Sequence, residues 1–161
     1  IDPACSLVFE SERRGARLMR EPPRNPRMRL FSRAMVLESV ALGSASLIAV
    51  ALVYGGALLL LPAEEARALG FVALVAGNLM LILVNRSRHE SLTSVLARPN
   101  AAFWWISALA AIALLLVLAV PSAAEAFAFG QPPLTGALAA VFLGAGTVAI
   151  LGYRRGSRKR E

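Results

Sequence analysis

The chain has 161 residues, 57% of them hydrophobic and 17% charged, with a mean hydropathy of +0.63, a formal charge of +7 and an isoelectric point near 11.2. Charges are missing from Ser39–Leu61, Ala68–Asn85, Pro99–Ala124 and Ala126–Gly152, and a soluble core helix does not need to be apolar on every face for that length. Cys5 and His89 each stand alone, which excludes an intrachain disulfide framework and a Cys/His metal cluster.

In chain order, residues 1–9 read as the end of a truncated helix. Ile1-Asp2-Pro3 is no initiator sequence and no basic leader precedes it, so the chain reads as a piece of something longer. Residues 10–33 carry eight arginines, and Pro22, Pro23 and Pro26 forbid a continuous helix there. A polar loop is expected.

Four spans follow, at about 34–61, 68–85, 101–120 and 134–153. Each approaches the roughly 20 apolar residues that a 30 Å hydrocarbon core requires. In the first, Gly43, Ser44, Ala45, Ser46 and Ala49 offer a small-residue face for close helix packing. Glu38 near its start is read as a solvated acid. Residues 63–67 make a short loop, so the second span returns antiparallel to the first and carries Asn78 near its middle. Trp104 and Trp105 open the third span at interfacial depth, and Pro121 closes it. An outer loop with Phe127 and Phe129 leads to the fourth span, where Gly144, Gly146 and Gly152 are expected at close contacts. A basic tail, 154–161, ends the chain. The predicted fold class is all-α, a polytopic membrane protein of four antiparallel helices after a polar cytoplasmic segment.

The N-terminal segment, the middle loop 86–99 and the tail hold eight, three and five Lys/Arg, against Arg67 alone in the opposite loops. That asymmetry places the basic segments and both chain ends in the cytoplasm. It also accounts for the high charge without nucleic acid, since stacking aromatics are scarce in the basic segments. No phosphate loop, nucleophile–base pair or metal-ligand cluster is present, and Ser6, Ser44 and Ser46 are read as helix-packing serines. A free-standing four-helix accessory or interaction subunit is one reading open at this point. A channel module is disfavoured by spans that lack a polar lining.

A more specific signal is Asp2-Pro3-Ala4-Cys5-Ser6-Leu7-Val8-Phe9-Glu10-Ser11-Glu12, followed by Met19, Pro22-Pro23-Arg24-Asn25-Pro26 and Leu30-Phe31-Ser32. Ala66-Arg67-Ala68, Phe71, Asn78-Leu79, Asn85-Arg86-Ser87 and Pro99-Asn100 continue it in order. This series resembles the C-terminal membrane region of P-type cation-transporting ATPases, closest to bacterial relatives of the calcium pumps, from the end of the sixth helix through the tenth. Two positions depart: Glu21 stands where the family usually has Arg, and Asn78 where animal calcium pumps carry a carboxylate.

The resemblance implies the C-terminal membrane domain of an ATP-driven pump in the plasma membrane, supporting the ion-binding helices. ATP, with Mg, would act on an aspartate in domains that precede residue 1, so no cofactor and no ATPase activity are expected of this chain alone. The implied partners are the bilayer, the preceding helices and cytoplasmic domains, and the transported cation, calcium or another small ion. Asp2 would be a cation ligand on the sixth helix. Asn78 would be a carbonyl ligand or interhelical glue.

Overall fold

In a computed structural model the described residues are 2–11, 32–86 and 100–158, leaving aside the side chains of 2–5 and 154–158. Most of the expected polar loop 10–33, the middle loop with His89, and the last three residues of the tail lie outside the described residues. Within them every regular element is a helix: α1 (Asp2–Glu10), α2 (Arg33–Leu58), α3 (Ala63–Arg86), α4 (Ala101–Ala119), α5 (Pro121–Ala126) and α6 (Leu134–Arg158). The chain is thus all-α, with four helices long and apolar enough to cross a membrane.

The boundaries follow local chemistry. Ser32 caps α2, its hydroxyl accepting from the Met35 amide at 3.1 Å, which satisfies a donor that the helix itself cannot. At the other end Leu60 and Leu61 turn back to the Ala57 carbonyl at 3.0 and 2.8 Å, and Pro62 cannot extend the helix. Residues 63–67, expected as a loop, form the first turns of α3. The Ala66 amide reaches the Pro62 carbonyl at 3.0 Å, and Glu64 and Glu65 lie at the positive end of the helix dipole. Pro121 does more than end α4: it forces Val120 into an extended conformation and occupies the first turn of α5. Gly152 does not interrupt α6, which continues to Arg158.

The clusters of buried residues set the helix directions. Ala57 of α2, Leu69 of α3 and Ala140 of α6 meet near one end of the bundle, joined by Leu114 and Leu118 of α4. Toward the other end, Leu42, Val84 and Val148 meet, as do Val8, Ile82, Leu83 and Phe103. Helices α2 and α4 therefore run one way, α3 and α6 the other. Half of the α3 span is buried, against 17%, 6% and 17% for α2, α4 and α6, so α3 is the axis and α4 an edge helix. Exposed Leu47, Leu52, Leu109, Leu115 and Phe142 form an outer surface suited to lipid, where tight packing rather than water exclusion must hold helices together.

That packing is made by small residues. On α6, Gly136, Ala140, Gly144, Val148 and Gly152 recur every fourth position and so share one face. A Cβ at Gly136 would sit 3.3 Å from Leu69, and one at Gly152 2.6 Å from Val84. At Gly144 a Cβ would collide with the Ala73 carbonyl oxygen and lie 3.0 Å from the Ala73 Cα. Gly77 faces both Ser46 of α2 and the Gly144 carbonyl. Of the expected close-packing positions, Ala45, Ser46 and Ala49 are buried while Gly43 and Ser44 are exposed. Gly146 meets nothing within 4 Å.

Candidate functional site

Asp2 opens α1, but its carboxylate is outside the described side chains. Six residues at 1.5 Å rise put its Cα about 9 Å along the helix axis from Val8. Val8 is fully buried against Ile82, Leu83 and Phe103. Asn78 precedes Ile82 by four residues and lies on the same stripe of α3, about 6 Å farther from that end. Val8 and Ile82 thus give α1 and α3 one shared contact level, at the C-terminal end of each. Asn78 is half-buried and has no side-chain hydrogen bond among the described residues.

Sequence reasoning missed a third polar group. Ser107 lies one turn beyond Phe103 on the same stripe of α4, and its Oγ is buried without a hydrogen-bond partner among the described residues. An unpaired buried hydroxyl costs about 1–3 kcal/mol. Asn78 and Ser107 thus each lie one turn inward of the cluster of Ile82, Leu83 and Phe103. Among the described residues there is no group of three His, Cys, Asp or Glu that could hold a metal ion.

Below this level the termini of α1, α3 and α4 meet. Asn100, only 3% exposed, caps α4 with its Oδ1, which accepts from the Phe103 amide at 2.9 Å. Its Nδ2 donates to the Val8 carbonyl at 3.1 Å. The Ser11 hydroxyl lies 3.0 Å from that carbonyl and 3.1 Å from Asn100 Oδ1. One amide therefore satisfies an orphan donor at the start of α4 and an orphan acceptor at the end of α1. The Arg86 guanidinium sits 5.3 Å from the centre of the Phe103 ring, a cation–π contact at the negative end of α3. The sequence singled out Asn100 only as the lead into a helix; Asn before an apolar run is a cap signal. Its second partner lies 92 positions away, beyond any local pattern.

At the opposite end of the bundle, Arg67 Nε donates to the Ala128 carbonyl at 3.1 Å and Nη2 lies 3.5 Å from Glu64. Phe129 packs on Phe71 and Phe127, with ring centres 5.4 and 5.7 Å apart. Gly130 rests on the first turn of α3, where a Cβ would lie 2.8 Å from Glu65 Cγ. The segment after α5 is thereby fastened over the start of α3, with Ala128 at a φ of 51°.

Residues 1–155 match the family described as "Cation transporting ATPase, C-terminus". No curated protein matches the chain.

Proposed function

Since the chain belongs to the family of cation-transporting ATPase C-termini, a multi-pass membrane domain of such a pump, we propose that it braces the cation-binding helices of an ATP-driven transporter and supplies polar groups to the ion path. The carrying observation is the family match over residues 1–155, within which Asp2 opens α1 and Asn78 is a half-buried amide on α3. A carboxylate at membrane depth is costly unless it meets a partner or an ion, and oxygen donors suit a hard cation such as calcium. A site of about six oxygens needs more than these two residues, so preceding helices of the parent complete it. ATP and Mg act in domains that precede this chain.

The basic end of the bundle, where α2 and α4 begin and α3 and α6 finish, faces the cytoplasm of a cell bounded by the plasma membrane, in accord with sixteen of seventeen Lys/Arg lying in its segments. Membrane-impermeant labelling of a cysteine placed at Gln131, and none at His89, checks this orientation.

The functional test uses the intact parent pump, following phosphoenzyme formation from ATP across a titration of each candidate cation. Asp2→Asn removes charge and keeps size, and abolishes most cation-dependent phosphorylation. Asn78→Ala removes a neutral ligand or an interhelical hydrogen bond of about 0.6 kcal/mol and shifts affinity only slightly. Wild-type cation dependence in Asp2→Asn refutes the ligand role.

A further inference from the structure

We propose that Asn100 is a positioning residue for the cation site. Its buried side-chain amide fixes the C-terminal end of α1 against α4, and along that helix influences the position of Asp2. The proposal rests on the pump reading above. Its argument begins with the chemistry of the cap. Any short side chain with an oxygen caps a helix start, and Ser or Asp serves as well as Asn. Asparagine adds a donor, and here the donor goes to the Val8 carbonyl of another helix at 3.1 Å. The junction is also electrostatically complementary, because the carbonyl end of α1 faces the amide end of α4.

Val8 is fully buried, whereas Leu7 and Phe9 on its other faces are 54% and 44% exposed. A hydrogen-bonded helix transmits a shift along its axis, so a displacement at Val8 is carried toward Asp2, about 9 Å away. The Ser11 hydroxyl braces the same carbonyl but can donate its single proton to only one acceptor at a time. Asn100 is therefore the principal tie and Ser11 an auxiliary one.

The test is made in the intact parent pump, with Ca²⁺, Mn²⁺ and Na⁺ titrated in separate series. Asn100→Ser keeps a capping oxygen for Phe103 but is too short to reach Val8; Ser11→Ala leaves the amide tie in place. Three quantities are read: the cation concentration for half-maximal phosphoenzyme from ATP, its maximal level, and phosphoenzyme formed from inorganic phosphate without cation. Hydrogen exchange at the Ser11 amide, bonded to Leu7 at 3.0 Å, reports directly on the last turn of α1.

Asn100→Ser is expected to raise the half-saturating concentration about fivefold, the equivalent of one lost net hydrogen bond. The maximal level and phosphorylation by inorganic phosphate stay at wild-type values, and exchange at Ser11 quickens. Ser11→Ala stays within about twofold, as befits a redundant bond. An unchanged half-saturating concentration in Asn100→Ser overturns the proposal. So does a fall in maximal level and in phosphorylation by phosphate with no affinity shift, which marks a purely structural role. A wild-type parent with no cation-dependent phosphoenzyme sinks the pump reading and the positioning role with it, while exchange at Ser11 still reports whether the tie exists.

Discussion

Replacing Gly144 by Ala separates a contact made by backbone from one made by side chains. The new methyl meets the Ala73 carbonyl oxygen, with the Ala73 Cα and carbonyl carbon both at 3.0 Å. None of these atoms can rotate away, so α3 and α6 must part. Carbon pairs prefer about 3.5–4.0 Å, and a gap of 0.5–1 Å forfeits a quarter to a half of each neighbouring dispersion contact. The strain falls where Gly77 and Ala140 pack beside Gly144. Overpacking of this kind costs about 1–3 kcal/mol, and the immobile backbone puts Gly144→Ala in the upper half of that range. Gly→Ala within a helix gains about 1 kcal/mol in propensity, leaving a net loss near 1–2 kcal/mol. Gly146, two residues away with nothing within 4 Å, supplies the control, because Gly146→Ala collects the propensity gain without the clash. The two variants should therefore differ by about 2–3 kcal/mol when the purified protein is unfolded by SDS in mixed micelles. Equal stability of the two would refute the backbone contact.

Two further perturbations probe the ends and the polar level of the bundle. Ala128→Gly relieves a left-handed conformation that costs an L-residue about 1–2 kcal/mol against an entropy penalty of about 0.5–1 kcal/mol; the SDS midpoint should stay level or rise, and a marked fall would show that the Ala128 methyl has an unrecognised packing role. Ser107→Ala removes a buried hydroxyl without a partner and should stabilise the protein by roughly 1 kcal/mol in the same titration. A loss of that size would mean that the hydroxyl has a partner in the membrane.

The four spans were legible because the bilayer imposes a length and a polarity that sequence displays directly, and Pro62 and Pro121 follow closely on the ends of α2 and α4. The start of α3 was not, because Glu64, Glu65 and Arg67 read as loop residues by polarity although two acids favour a helix start. Small residues flagged close packing in the right helices but could not say which face met a neighbour. Gly144 and Gly146 are alike in composition and differ only in rotation about α6. The four-residue recurrence from Gly136 to Gly152 was available as a pattern, since i and i+4 share a face. Asp2 and Asn78 came from family resemblance, whereas the packing of Val8 with Ile82 had no signal in the sequence. Ser107 resembles any helix serine until its surroundings are known.

The glycine and alanine seam between α3 and α6 has a thermodynamic consequence beyond its closeness. Burying Leu or Met freezes side-chain rotamers at about 0.5–2 kcal/mol each, whereas Gly and Ala have none to freeze. A seam lined by Gly77, Gly144, Ala73 and Ala140 is thus assembled with almost no loss of side-chain entropy, in a solvent that gives apolar contacts no hydrophobic reward. The same absence of rotamers makes the seam stiff. Two main chains in contact have no soft torsion to absorb a load, so α3 and α6 share any displacement imposed on either.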